Sequence, residues 1–219
     1  GMPNPTRANA KYLVDFNAAM AINALYMSAL GDILNDKEIS FQYKRNYFSL
    51  KTRINNMMWN HEKGFYFDVD AAEHQLPCKT IGGFWPLLAE IPNEERAEAL
   101  IAKLTDPESF GTENPFPTMS ADDKHYDKRG MGYNGSVLPH FTYMVIKGLE
   151  KYNQWELARD CAIRHLYFIL DSAHPNGERH QTLWEAYQPQ NEGRAVWPDR
   201  PDWPRPQYLA FAGLATVAL

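Results

Sequence analysis

From Thr182 to Pro206 the chain reads TLWEAYQPQNEGRAVWPDRPDWPRP, with Glu185 standing between Trp184 and Tyr187. Three tryptophans and five prolines share that stretch. A sugar ring presents apolar C–H faces rimmed by hydroxyls. Aromatic rings stack on the faces, while carboxylates, amides and guanidinium groups bind the hydroxyls. Trp184, Glu185 and Tyr187 meet both needs, and Trp85, Tyr126, Tyr133, Asn134, Trp197 and Trp203 could extend the same surface. Packing beneath a long loop would explain any one of these rings equally well. The inference of a saccharide site rests on the set.

Other clusters carry less. HPNGERH (174–180) holds two histidines and a glutamate without the HExxH spacing that puts ligands on one helix face. SADDKHYD (120–127) gathers Asp122, Asp123 and Asp127 but departs from the EF-hand pattern, so it reads as a solvated loop. The glycines around Gly82 and Gly132 lack the preceding strand and following Lys-Ser/Thr of a phosphate loop. Ser136 has no histidine and aspartate context. No metal or cofactor is expected.

The elements that must position the aromatic surface are helical. Apolar residues recur at three- and four-residue spacing over 13–33 and 41–58, and helices are also expected at 80–90, 93–105, 135–151, 154–171 and 207–219. GFYFDVD (64–70) reads as one short strand of a hairpin. Connections alternate between short turns near 35, 91 and 152 and long, aromatic segments at 59–79, 106–134 and 172–206. Loops longer than roughly 12–15 residues are uncommon in compact domains unless they serve a function. In antiparallel helical hairpins every second connection emerges at the same end, so the three long segments should share one face. The expected fold class is all-α, a single domain spanning 1–219.

The 219 residues carry a net charge of −5 without a basic stripe, which disfavours nucleic acid as a partner. No apolar run approaches the roughly 20 residues of a membrane span, so no membrane partner is expected. Gly1-Met2 reads as a cleaved-tag scar, and no signal peptide follows it; the compartment stays open. Cys78 and Cys161 are too few for a disulfide framework or a metal knuckle.

Five segments together bring a family into view: VDFNAAM (14–20), WNHEKGFYFD (59–68), GGFWPLLAEI (82–91), MGYNGSVLPHFTYMVIKGLEKY (131–152) and TLWEAYQP (182–189). In this order, from about residue 12 to the C-terminus, they resemble the C-terminal part of inverting glycosidases with an (α/α)6 toroid, the trehalase, processing α-glucosidase I and mannosylglycerate hydrolase group. The resemblance implies a partial toroid and inverting hydrolysis of an α-glycoside, with a carbohydrate as the substrate. In that family an aspartic acid protonates the leaving oxygen and a late glutamate activates water. Glu185 matches the region of that base. Its aromatic neighbours suggest a partly desolvated carboxylate with a raised pKa.

The resemblance raises Asp15 and Asn17 from helix-capping residues to candidates for lining the site, beside Trp85, Tyr133, Asn134, Trp184 and Tyr187. The family's acid lies in a G-W-D or G-x-D motif just ahead of the segment resembling VDFNAAM, whereas residues 2–12 (MPNPTRANAKY) contain no carboxylate. Asp15 matches the segment after the acid. About seven helices are expected, against the twelve of a closed toroid. Both features point to the C-terminal half of such an enzyme, whose exposed helix faces would meet an N-terminal half or a second copy. Two departures bear on substrate and activity. YNGSVLP (133–139) stands where relatives often read W-R/N-G-x-x-W-P, and YLAFAGLATVAL (208–219) lacks a common tryptophan. A non-catalytic carbohydrate-binding or interaction module is the alternative reading. A toroid epimerase or lyase would need a His or Tyr base in a matching segment.

Overall fold

A computed structural model describes residues 7–172, 182–191 and 193–218. The HPNGERH segment lies outside them. Helix α1 (Val14–Ile33) and helix α2 (Lys37–Met57) form the first hairpin. A short antiparallel ribbon follows, β1 (Trp59–Asn60) against β2 (Phe65–Tyr66), with Trp59 opposite Tyr66. A 3-10 turn at Ile81–Phe84 runs into α3 (Trp85–Leu88). Then come α4 (Glu94–Thr105), α5 (Pro139–Lys151), α6 (Trp155–Ser172), α7 (Leu209–Ala212) and α8 (Leu214–Val217). The fold is all-α apart from this ribbon, as the periodicity implied.

Three expected helices changed shape, each for a physical reason. The 80–90 segment opens as a tight turn because Gly83 sits against the hairpin. A Cβ there would lie 2.4 Å from the Phe65 ring and 2.7 Å from the Tyr66 carbonyl. The 135–151 helix begins only at Pro139, where a missing N–H costs nothing. Its expected first turn is used otherwise: Val137 exchanges both backbone hydrogen bonds with Tyr187, at 2.9 Å each. The C-terminal segment is two single turns broken at Gly213.

The three short turns share one device. Asn35, Glu90 and Asn153 take positive φ values of 57°, 53° and 58°, the left-handed residue that ends a helix and reverses the chain. Asp36 caps α2 by accepting from Ile39 N, and Asn93 caps α4 by accepting from Arg96 N. α3 packs on both α1 and α5, and α5 in turn packs on α8; α2 lies against α1 and α6 against α5. The core is centred on Phe65, Phe67, Phe84 and Phe110, whose rings meet edge-on or stacked at 4.8–5.9 Å.

The long segments are hydrogen-bonded to one another. Ser120 N donates to Lys79 O, Ile81 N to Thr118 O, Asn114 N to Pro189 O and Gly132 N to Val196 O. These bonds bring the described parts of all three together. α1 is apolar on both sides. Val14, Ala18, Ala21 and Ala24 are buried, while Phe16, Met20, Tyr26, Leu30 and Ile33 form an exposed stripe at helical spacing. No helix among the described residues is long and apolar enough to cross a membrane.

Candidate functional site

Glu185 is held by the loop that precedes α5 and by the end of its own loop. Bridges from Tyr187 to Val137 and to Arg194, and from Met131 to Val196, lay the 182–197 segment along 130–137. Gly135, at φ 127°, lets the chain turn under Tyr126, whose ring would lie 2.9 Å from any Cβ. Arg205 closes the loop: its Nε donates to Glu185 Oε2 and its Nη2 to Oε1, each at 2.9 Å, while Glu185 N donates to Arg205 O at 3.0 Å. Glu185 is only 7% exposed.

That guanidinium fork corrects the expected raised pKa. Hydrogen bonds from Arg205 outweigh the burial that opposes them, and the Glu185 carboxyl is held below its ordinary value. The carboxylate is therefore ionised at neutral pH. Arg205 takes one lone-pair direction on Oε1 and two on Oε2, where its backbone N also donates at 3.4 Å, out of about four that a carboxylate has.

Two more residues share this neighbourhood. His140, in the first turn of α5, is pushed down to about 4 by burial although Glu185 pulls the other way. Tyr133 is pushed up by burial and by Glu185, against the opposing field of Arg7. Tyr133 thus lies within reach of two charged groups, Glu185 with Arg205 and a second one built on Arg7. There, Arg7 donates to Asp15 through Nη1 and Nη2 at 2.8 and 2.9 Å, and to Asp68 through Nε at 2.5 Å. Asp68 also accepts from Val14 N at 2.8 Å, fixing the start of α1 to the hairpin. Burial raises its pKa in spite of Arg7.

The remaining residues fall into different positions. Asn134 is half-buried, and its Oδ1 is buried without a protein partner among the described residues, as is the Trp85 Nε1. Such atoms are open valences for a polar ligand. Trp85 meets Phe141 edge-on at 6.0 Å, and Phe141, Tyr133 and Trp197 each pack against the buried cluster of Leu138, Ala186, Ala195 and Trp203. Trp85 faces a cavity of about 540 Å³ between α1, α3 and α5 that contains no residue of the Glu185 loop. Trp184 is half-buried with the Arg194 guanidinium 5.0 Å from its ring. Tyr187 is 0% exposed and its hydroxyl accepts from Trp184 N, so it supports the loop from behind. Asn17 donates its amide to Leu13 O at 2.7 Å, at the start of α1.

Arg7, Asp68, His140 and Arg205 escaped the sequence reading. All four lie in segments quoted above, but nothing adjacent to them in sequence marks their partners. Asp122, Asp123 and Asp127 are each paired, with Lys79, His125 and Arg129 respectively. Among the described residues no group of three or more His, Cys, Asp or Glu could hold a metal ion.

A family described as the mannosylglycerate hydrolase MGH1-like glycoside hydrolase domain matches residues 4–197. An uncharacterized protein of Borreliella burgdorferi is 47% identical over 194 residues, covering 89% of this chain and 41% of that protein. A mannosylglycerate hydrolase of Rubrobacter radiotolerans is 24% identical over 157 residues, covering 67% of this chain and 34% of the relative. The crystal structure of a GH63 mannosylglycerate hydrolase from Thermus thermophilus in complex with glucose superposes with a TM-score of 0.73 at 22% identity, over 94% of this chain and 46% of that one. The chain therefore spans less than half the length of these relatives.

Proposed function

Because this chain belongs to the mannosylglycerate hydrolase MGH1-like glycoside hydrolase family, we propose that it carries the base-bearing part of a glycosidase site that hydrolyses an α-glycoside with inversion. The observation that supports this best is Glu185, a nearly buried carboxylate kept ionised by Arg205 at the head of an aromatic loop. The lone pair left free on its Oε1 accepts a proton from water as the water oxygen attacks the anomeric carbon, on the face opposite the leaving group. In inverting enzymes the acid carboxyl stands roughly 6.5–9.5 Å from the base, leaving room for that water. Tyr133, Asn134 and Trp184 bind the sugar, with Trp85 behind Phe141 and Asp15 set by Arg7. Tyr187 and Asn17 act indirectly, by fixing the loop and the start of α1. The exposed stripe on α1 is where further helical hairpins, or a second copy, pack.

A second reading is a carbohydrate-binding module without hydrolysis. It is favoured by the Arg205 fork, which makes Glu185 a weaker base than a free carboxylate.

Hydrolysis of an α-glycosyl fluoride, which needs little leaving-group protonation, separates the two. Under the hydrolase reading Glu185→Gln lowers the rate by about 10²–10⁴-fold while sugar affinity stays within a few fold. Turnover unchanged in Glu185→Gln removes Glu185 from the mechanism. Sugar binding without fluoride release in either protein supports the binding module.

A further inference from the structure

At the loop end of the molecule, sharing no residue with the Glu185 site, a second cavity of about 620 Å³ opens between the β1–β2 hairpin, the last turn of α4 and the 120–125 loop. Lys63, Lys79, Lys103 and Lys124 line it against Asp122 and Asp123. Four ammonium groups thus face two carboxylates in a chain whose net charge is −5. Both carboxylates are already committed: Asp122 to Lys79, and Asp123 to the backbone N and Nδ1 of His125 at 2.9 and 3.1 Å.

Two of these cations stand close enough to act on each other. Burial, and then the charge of Lys79, holds the Lys103 ammonium below its ordinary pKa, with Asp122 and Asp106 offsetting this only in part. Lys103 stands in the last turn of α4, where the helix dipole favours a cation. The dipole accounts for that one residue and not for the convergence of Lys63, Lys79 and Lys124 from separate loops. Lys63, which lines the cavity, also places its Nζ 5.1 Å from the centroid of the Phe67 ring. Like charges drawn into one partly desolvated concavity create a local positive potential suited to an anion.

We propose that this cavity binds an oxyanion of the phosphate class, held by Lys63, Lys103 and Lys124 with Lys79 anchored behind them on Asp122. Inorganic phosphate and a phosphate monoester share this chemistry, and both serve as probes.

Isothermal titration at constant ionic strength should show saturable binding of inorganic phosphate, against none for chloride. Glucose 6-phosphate binding more tightly than inorganic phosphate would identify an ester as the ligand; equal affinity would identify the phosphate group itself. The exposed pair Lys63→Ala/Lys124→Ala should weaken binding at least about tenfold, and Lys103→Met, which keeps the apolar stem, should do likewise. Circular dichroism confirms that each variant is folded. Lys44→Ala on α2 serves as the control and leaves binding unchanged. No saturable heat beyond that of chloride, or equal affinity in the folded cavity variants, overturns the proposal. Glu185→Gln should bind phosphate as the parent does, so this inference and the glycosidase reading fail separately.

Discussion

Arg205 grips Glu185 across 20 residues of loop, Nε to Oε2 and Nη2 to Oε1 at 2.9 Å each, and this contact sets both the shape of the loop and the charge of the carboxylate. Planar, bidentate pairing of this kind is the strong form of an ion pair. The fork comes from the mostly exposed side chain of Arg205, while Glu185 is nearly buried. The carboxylate therefore depends on its partner more than the partner depends on it.

Arg205→Ala is expected to raise the pKa of Glu185. The largest cause lowering it is removed, and the burial that opposes it stays. A carboxyl with a depressed folded pKa contributes stability above its unfolded pKa, and that contribution is lost as pH falls through the folded value. The variant loses this contribution, so its stability drops at neutral pH, and the deficit relative to the parent shrinks as pH falls below the ordinary glutamate range. An NMR titration of Glu185 side-chain carbons follows the pKa without any need for turnover. An unmoved or lowered midpoint in the variant would refute the assignment of Arg205 as its cause.

His165 should make the protein acid-sensitive. The ring is fully buried, its Nδ1 shares a hydrogen bond with Asn114 Oδ1 at 2.8 Å, and burial pushes its pKa from 6.5 down to about 3. Asn114 in turn donates from its backbone N to Pro189 O and from Nδ2 to Gln188 O, which ties α6 to the Glu185 loop. The unfolded chain takes up a proton below about pH 6.5 that the folded chain refuses, so stability is full above that pH and declines toward pH 3. One such group contributes a slope of about 1.4 kcal/mol per pH unit in that window. His140, lowered to about 4, adds to the slope over the upper part of the range. Urea unfolding at pH 7, 6, 5 and 4 should show a shallower decline for His165→Gln than for the parent, even where the variant starts lower. Parallel declines would show that His165 does not carry the effect.

Gly83→Ala should be among the costlier single-methyl additions in the chain. Its Cβ would sit 2.4 Å from the Phe65 ring, and Phe65 is itself locked against Phe84 and Phe110 at 5.1 and 5.9 Å. Overpacking of this kind typically costs about 1–3 kcal/mol. A loss below about 0.5 kcal/mol by chemical denaturation would mean that the hairpin shifts freely away from α3.

How far the sequence disclosed this arrangement depends on the range of the interaction. α1 and α6 follow a helical period that a window of a dozen residues contains, and the short turns at Asn35 and Asn153 sit where periodicity stops. Residues 135–138 continue an apolar pattern yet form no helix, because Val137 finds its partner in Tyr187, far along the chain. The same holds for the site. Glu185 stood out as a candidate because its aromatic neighbours adjoin it in sequence. Arg205 lies 20 residues from Glu185, and Asp68 lies 61 from Arg7, so no local pattern pairs them. Tyr187, at 0% exposure, looked like a sugar platform because sequence shows ring types and not which side faces the core.

The Arg7 group supplies the last prediction. Arg7 is held above its ordinary pKa by Asp15 and Asp68 even though burial disfavours its charge. Asp68 is 5% exposed, and its Oδ1 is also needed by Val14 N at the start of α1. Removing one partner of a buried pair leaves the other charge uncompensated, a loss of roughly 3–5 kcal/mol in well-buried cases. Arg7→Ala should therefore destabilise the fold most at neutral pH, where Asp68 must either stay charged alone or take up a proton. Its deficit relative to the parent should shrink near pH 4, where protonation of Asp68 is easy. Asp68→Asn keeps an acceptor for Val14 N, so the double variant Arg7→Ala/Asp68→Asn should recover part of the loss. A double-mutant cycle by urea denaturation at pH 7 and pH 4 measures the coupling. Additive losses with no pH dependence would show that Arg7 acts through packing of its stem. Coupling that fades toward pH 4 would show that Arg7 holds the hairpin to α1 by charge, and so holds Asp15 in place at the start of α1.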